Sequence, residues 1–569
     1  MARTLPGNAD IAEQFELLAD LLEIEGHDTF RVLAYRRAAA RIRETGGSVA
    51  QLALEGKAKQ LQGIGKTIEE KIVQIVEDGE VHALTKHKQL VPGGVVAFMH
   101  LPGLGPKTAR RIWRELGVTT LEELRRAAAE QRLRTLTGLG AKTEETILRS
   151  LNARTAAPAE QRTLLGVALP AVVAAVDELR RHPAAVKVSE AGSVRRRRET
   201  VRDLDIIATA TDAEALIAHF VGLDWVVEVV ARGGTKATVL AANGLRFDLR
   251  VVPPECYGNL LQHFTGSKLH NVALREDAVR RGLSVSEYGV TVVDTGEVVT
   301  HADEAELYAF LGYQLVPPEL RENAGELEAA RTGSLPTLVE LRDVRGDLHA
   351  HSSWSPDGKA TIEEMALAAR ARGYRYLAVT DHSHSLREGR MEAQDAEIDA
   401  LNERLAPFRL LKGVEASIKA DGTLDLPDEV LADRDWVVAS LHTSFDRDPT
   451  GRVLAAMDNP HVDCIGHLTG RKIGKRPGAS LDVERVVERA LETRTVLEIN
   501  SQPDRLDIPD RVARVAGEAG VPVAVTSDAH RVAALAYVEL GVAQARRAWL
   551  TKEQVLNTRT WPRIAKMRR

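Results

Sequence analysis

Apolar side chains recur at three- and four-residue intervals through the first part of the chain, as in IAEQFELLADLLEIEG and AYRRAAARIRET, and predict amphipathic helices over 9–155. Over 185–315 the pattern changes to alternating or short continuous apolar runs; VKVSEAGSV, LDIIATA and ATVLAANGLRFDLRVVP predict strands between helices. Residues 316–342, from VPPEL through RENAGELEAARTGSLP, are polar and net acidic and read as a connector. From Val344 short apolar strands alternate with helices: YLAVTDHS, RLLKGVEA, WVVASLHTS, VDCIGHL, TVLEINS and PVAVTSDAH. That repeated order predicts parallel strands in a barrel or open layer, with chemistry gathered at the C-terminal strand ends.

One element occurs three times in the helical region: LQGIGKTIEEKI (Gly63, Gly65), LPGLGPKTARRIW (Gly103, Gly105, Lys107) and LTGLGAKTEETIL (Gly138, Gly140). The glycines permit a tight turn, and the N–H groups opening the next helix suit a phosphate. One copy alone would be an ordinary helix connector. Three copies resemble the helix-hairpin-helix motif, which grips DNA backbone without reading sequence.

The length of 569 residues corresponds to three or four domains at about 150 residues each. The formal charge of −5 hides an uneven distribution. Residues 101–200 hold 19 Lys+Arg against 11 Asp+Glu, while the remaining 469 hold 57 against 70. A basic island in an acidic chain fits a polyanion binder with carboxylate-rich metal sites. Two cysteines make no disulfide framework. The N-terminus lacks an apolar leader, and the longest apolar stretch, Leu164 to Val176, is interrupted by Pro170. The expectation is a cytoplasmic, nucleoid-associated protein without a membrane partner, with a monomer as the default.

Residues 191–206, AGSVRRRRETVRDLDI, hold the first chemical constellation. Gly192 and Ser193 offer phosphate donors, and the arginine run suits a polyphosphate. Asp203 and Asp205, two apart on a strand, share a face about 6–7 Å apart. Such carboxylates stay ionised together only with a cation between them. Asp248 in LRFDLRVV adds a third on a neighbouring strand. Three aspartates holding two hard cations, Mg²⁺ or Mn²⁺, suit in-line phosphoryl transfer.

Gly-Ser followed ten residues later by Asp-x-Asp resembles the nucleotidyltransferase signature of family X DNA polymerases, and the likeness continues through FTGSKLHNVALR and GLSVSEYGV. The resemblance implies that Asp203, Asp205 and Asp248 bind the metals and that Asp248 accepts the primer 3′-hydroxyl proton. Gly192, Ser193, Arg196 and Arg162 would face the triphosphate. Phe264, Thr265 and Gly266 would line the sugar pocket, and Asn271 would contact the base in the minor groove. Arg275 would lie near the templating base, and Lys236 and Arg246 would touch template or primer. Arg197 and Arg202 stand where relatives of polymerase β have glycines, and His263 stands in place of a tyrosine, which bears on sugar discrimination. The N-terminal helices resemble the family's small lyase domain. Lys71 matches its Schiff-base lysine, a phosphate contact being the alternative, and Arg31 and Tyr35 fall where a 5′-phosphate pocket would be.

Eight of the seventeen histidines follow residue 343. GDLHAHSSWSPDG carries His349, His351 and Asp357; then come His382, Glu415, His442, His467, Asp528 and His530 at successive strand ends. Mixed imidazole and carboxylate donors suit Zn²⁺, Mn²⁺ or Fe²⁺ better than Mg²⁺. The set resembles the polymerase and histidinol phosphatase (PHP) domain, a distorted (β/α)₇ barrel holding up to three ions, with Leu468 where a proline often follows the histidine.

The expected architecture is therefore multidomain. It comprises a helical lyase-like domain with a helix-hairpin-helix (1–85), a helical DNA-binding subdomain (86–157), an α+β nucleotidyltransferase palm (158–255) and thumb (256–318), a linker (319–342) and a PHP domain (343–569). The expected activity is gap-filling DNA synthesis from dNTPs on gapped or primer-template DNA in base excision repair. A metal-dependent 3′→5′ exonuclease, with AP-endonuclease activity alongside it, would reside in the barrel. The rivals are a PHP phosphatase fused to a DNA-binding module and a non-catalytic DNA-binding scaffold.

Overall fold

The computed structural model describes residues 5–6, 8–45, 49–61, 63–101, 104–136, 139–141, 144–145, 147–148, 162–387 and 389–568. Two compact units divide the chain, 1–161 and 162–569.

The first unit is helical. Asn8–Glu25 packs on Thr29–Glu44, with Phe15 stacked on Tyr35 at 6.0 Å between ring centroids. Asp28 caps the second helix by accepting from the Phe30 N–H. Gly65 and Gly105 stand at the N-caps of Lys66–Asp78 and Pro106–Leu116, and the Gly140 carbonyl accepts from the Glu144 N–H at 3.1 Å. The first and third repeats share a further device. Glu69 and Glu144, both buried and four residues beyond the capping glycine, accept from the backbone N–H of Lys59 and Arg134. The second repeat places buried Ala109 there. Gly103 and Gly138 lie outside the described residues.

The second unit opens with a five-stranded sheet. Its members are β2 (Ala185–Glu190), β4 (Asp203–Ala210), β5 (Val226–Arg232), β6 (Lys236–Ala241) and β7 (Arg246–Val251), in the order β2-β4-β7-β6-β5. Only β4 and β7 are parallel. A short ladder of β1 (Thr163–Leu164) with β3 (Thr200–Val201) flanks it. The apolar stretch tested above as a membrane span becomes the helix Leu165–Arg180, whose Leu165, Val172, Val176 and Leu179 pack on this sheet. Among the described residues no helix is long and apolar enough to cross a membrane. A three-stranded sheet, β8 (Leu283–Ser286), β9 (Gly289–Val292) and β10 (Val298–Val299), follows.

Residues 319–342 depart from the plain connector that their polarity suggests. Arg321 is fully buried and pairs with Glu304 at 2.6 Å; Glu326, also fully buried, bonds His270 Nδ1 at 2.7 Å. Leu320, Ala330 and Leu338 join the core around Leu274 and Tyr308. Polar letters here encode buried pairs rather than solvated chain.

The C-terminal sheet holds β11 (Gly346–Ala350), β12 (Tyr376–Val379), β13 (Arg409–Ser417), β14 (Trp436–Ser440), β15 (Cys464–Gly466), β16 (Val496–Asn500) and β17 (Val523–Thr526), all parallel and in chain order. The His351 N–H bonds the Ala529 carbonyl at 2.8 Å and the Asp528 N–H bonds the His349 carbonyl at 2.9 Å, joining the two ends into a nearly closed barrel. Leu506 and Leu540 of this barrel enter the core of the five-stranded sheet beside Leu165, Leu204 and Phe247.

Candidate active sites

The strand register builds the first site. Asp205 on β4 lies directly opposite Asp248 on β7, and Asp203 lies opposite Arg246. Burial, reinforced by Asp248 and then Asp203, pushes the Asp205 carboxyl up to about 6. Arg202 Nε stands 2.8 Å from Asp203 Oδ2, Arg246 Nε stands 3.1 Å from Asp248 Oδ2, and Thr238 Oγ1 donates to Asp248 Oδ1. Three carboxylates are thus crowded together with exposed arginines as partial counter-charge. An oxygen-only donor set short of positive charge fits hard divalent cations.

The turn after β2 brings the phosphate-type donors to the same place. Gly192 has φ +63°, and a Cβ there would stand 2.1 Å from Asp205 Oδ2, so only glycine permits the approach. Arg196 donates through Nε to Glu322 at 3.1 Å and through Nη1 to the Thr265 carbonyl; a Cβ on Gly266 would lie 3.2 Å from that same nitrogen. Thr265 Oγ1 receives Arg195 at 2.6 Å. The Arg250 guanidinium covers the Phe264 ring at 4.5 Å. Arg275 Nη2 lies 2.9 Å from His263 Nδ1, and Asn271 Nδ2 donates to the His263 carbonyl at 2.7 Å. Arg162 is held on Thr200, and Lys236 is exposed at the start of β6. Ser193 is half-buried on the same turn. Arg197 adopts φ +56° and holds that left-handed backbone with bonds to the Val194 carbonyl and Glu190.

The second site sits at the C-terminal ends of the barrel strands, where six of the seven deliver its residues. Glu415 is the hub: His382 Nδ1 lies 2.8 Å, His349 Nε2 3.7 Å and His351 Nε2 3.6 Å from one of its oxygens, and His442 and His467 lie 3.2 and 3.0 Å from the other. His351 Nε2 is 3.3 Å from Asp528 Oδ1. Asp357, more exposed, lies 3.1 Å from His530 and 3.6 Å from His382. All nine residues expected from the sequence are therefore neighbours. Burial opposes charge on Glu415, but the surrounding imidazoles, His349 first, hold its carboxyl well below the usual range. His349 Nε2 and His351 Nε2 stand 3.2 Å apart. Two imidazoles bound at 2.0–2.1 Å to one tetrahedral ion would stand about 3.3 Å apart. His467 Nδ1 is buried without a hydrogen bond. Paired and orphaned imidazole nitrogens around a buried carboxylate fit transition-metal ions. His467 and Asp528 have φ +27° and +51°, backbone strain of the kind stored at functional sites.

Glu498 on β16 completes this site. It is fully buried, accepts from His349 Nδ1 and Thr526 Oγ1 at 2.6 Å each, and receives the His467 N–H on its other oxygen. It thereby leaves His349 Nε2 to face the cluster. A charged residue inside the apolar strand VLEIN was the available signal. Asn500 on the same strand bonds Asp528 Oδ2 at 2.9 Å.

In the helical unit, burial and then the Arg31 guanidinium push the Lys71 ammonium below its ordinary value, against Glu70. Arg31 is exposed, whereas Tyr35 is 5% exposed and belongs to the core. Lys107 is exposed. Glu25 pairs with His27 at 3.1 Å and His87 at 2.6 Å, a cluster of three potential metal ligands outside the barrel.

Family models place these parts in a class. Residues 260–322 match a DNA polymerase beta thumb, 347–501 a PHP domain, 6–81 a helix-hairpin-helix domain and 96–153 a SAM-like helix-hairpin-helix tandem. The combination is that of a DNA polymerase joined to a PHP metal-binding barrel. Over 563 residues the chain is 40% identical to the DNA polymerase/3′-5′ exonuclease PolX of Bacillus subtilis (strain 168), covering 97% of each. It therefore belongs to the PolX family. The barrel region alone is 31% identical over 226 residues to a probable phosphatase of Thermoanaerobacter sp. (strain X514), spanning 37% of this chain and 89% of that protein.

Proposed function

We propose that this protein is a gap-filling DNA polymerase with a 3′→5′ exonuclease in its barrel. The reading is carried by the coexistence, in one chain, of an in-register aspartate pair beside a phosphate turn and a second, imidazole-based cluster. When bound, two Mg²⁺ or Mn²⁺ ions at Asp203, Asp205 and Asp248, and up to three Mn²⁺, Zn²⁺ or Fe²⁺ ions in the barrel, supply charge neutralisation and a nucleophile active at neutral pH.

The chain's own residues do the rest. Ser193 and Arg196, with Arg162 and the Gly192 backbone, hold the triphosphate of the incoming dNTP. Asp248 accepts the primer 3′-hydroxyl proton, oriented by Arg246 and Thr238. Phe264, Thr265 and Gly266 form the sugar wall, with His263 in the sugar-discriminating place; Asn271 and Arg275 follow the nascent base pair. Lys236 and Arg246 touch the template-primer. The repeat glycines Gly63, Gly65, Gly103, Gly105, Gly138 and Gly140, with Lys107, hold DNA phosphates without reading sequence. In the barrel, Glu498 orients His349, and His349, His351, Asp357, His382, Glu415, His442, His467, Asp528 and His530 would hold the ions. The depressed Lys71 ammonium beside Arg31 favours an additional lyase step at abasic sites.

The test is paired substitution on gapped DNA. Asp205→Ala abolishes extension and spares the nuclease; His349→Ala with His351→Ala does the reverse. Survival of both activities in both proteins would refute the two-site assignment. Phosphate release from small esters that needs the barrel, with no extension by the wild-type chain, would instead favour the phosphatase rival.

A further inference from the structure

The five-stranded sheet and the barrel meet at a buried charge network that no expected site residue except Arg196 belongs to. Arg547 ends the barrel helix Val538–Arg547, and its side chain is 4% exposed. Its Nη1 donates to the Arg196 carbonyl at 2.9 Å and to Glu322 Oε1 at 3.1 Å, and its Nη2 lies 2.6 Å from Asp510 Oδ2. The same Glu322 oxygen accepts Arg196 Nε at 3.1 Å. Arg547 therefore fixes Arg196 twice: directly at its backbone, and through the carboxylate that orients its guanidinium. The free end of Arg196 reaches the Thr265 carbonyl in the sugar wall.

We propose that Arg547, contributed by the barrel, is a positioning residue for the triphosphate pocket of the polymerase half, acting on Arg196 through Glu322 and the residue 196 carbonyl. The inference rests on the triphosphate role given to Arg196 above.

The electrostatics set the direction. Burial raises the Glu322 carboxyl, but Arg547, Arg196 and Arg198 together hold it below its usual value. Asp510, raised by burial, is pulled down to about 2 by Arg547 and then Arg198. Without Arg547, Glu322 must be neutralised by Arg196 and Arg198 alone. The carboxylate that aims the Arg196 guanidinium then loses the partner that fixes it, and the residue 196 carbonyl loses a charged donor. A guanidinium already aimed costs less to engage than one recruited from another partner. The effect falls on nucleotide capture rather than on the aspartates.

The experiment uses the full chain on one-nucleotide-gapped DNA, with the exonuclease rate measured on the same preparations. Arg547→Met is expected to raise the dNTP KM about tenfold, the worth of one charge-assisted hydrogen bond, with kcat within about twofold and the exonuclease rate unchanged. Glu322→Gln is expected to share that phenotype, the double variant to add little to either, and Arg547→Lys to recover part of the loss. Asp510→Asn, which touches Arg547 only from the barrel side, controls for domain-interface stability: a purely structural role would make it match Arg547→Met. Should Arg547→Met fail to fold, Arg547→Lys and Glu322→Gln carry the test. If Arg196→Ala raises the KM while Glu322→Gln and the Arg547 variants do not, the positioning role is overturned and the triphosphate reading stands. If Arg196→Ala leaves the KM unchanged, the triphosphate reading itself falls.

Discussion

The two metal-ready sites of the second unit gather negative charge with opposite materials. In the polymerase half three aspartates stand together with partly buried side chains, and the exposed arginines Arg202 and Arg246 supply the counter-charge. In the barrel His349, His351, Glu415 and Asp528 are at most 7% exposed, and imidazoles sit between the carboxylates. The carboxyls respond oppositely: Asp205 rises to about 6, whereas Glu415 and Asp528 fall far below their ordinary values despite burial. Oxygen donors flanked by exposed arginines suit ions that exchange with solvent. Buried nitrogen donors locked by Glu498 suit ions that stay.

That contrast can be broken in several places. The largest effect is expected from Glu415→Ala, which removes the hub of the barrel cluster: exonuclease activity should fall about a thousandfold or more and bound transition metal should drop, with extension intact. Retained metal, by mass spectrometry of the purified variant, would contradict the hub role. Glu498→Ala should cost about 10–100-fold in nuclease activity, because it frees His349 without removing a ligand. A loss as deep as that of Glu415→Ala would make Glu498 a ligand instead.

The aspartate site should show the pH signature. With the Asp205 carboxyl raised to about 6 in the metal-free protein, cation binding must displace a proton below that pH. Mn²⁺ affinity, measured calorimetrically in the His349→Ala/His351→Ala background, should be flat above about pH 6.5 and fall toward tenfold per unit below pH 6. The linked stability runs the other way. A raised acid favours the folded state when protonated, so metal-free protein loses stability as pH rises from 3.8 toward 6 and is flat beyond. The smallest effect concerns Arg202. Its ion pair with Asp203 is exposed and weak, so Arg202→Gly should lower the Mg²⁺ needed for half-maximal extension by about twofold. A higher Mg²⁺ requirement would show that Arg202 assists rather than competes.

The legible parts of the sequence were those whose chemistry follows local periodicity. Asp203 and Asp205 share a face because strands alternate; barrel histidines fall at strand ends because strand and helix alternate; the glycine repeats mark helix starts. The residues that escaped depend on partners far along the chain. Arg321 and Glu326 look like solvated connector until Glu304 and His270, 17 and 56 residues away, bury them. Arg547 and Glu322 are 225 residues apart. Tyr35, expected beside a 5′-phosphate pocket, also stacks its ring on Phe15 in the helical core, a contact that the sequence did not announce. Arg197 shows how the sequence can break a local rule: a left-handed turn usually reserved for glycine is carried here by an arginine with two bonds of its own.

Leu506 and Leu540 also bear on how such a chain is assembled over time. Because they finish the hydrophobic interior of the five-stranded sheet, the seam between the two catalytic halves is a shared wall rather than a hinge. A gene fragment ending near residue 340 would encode a polymerase half with an open apolar flank, prone to self-association. A lineage that discarded the barrel would have to repaint that flank with polar side chains before the shortened protein could stay dispersed.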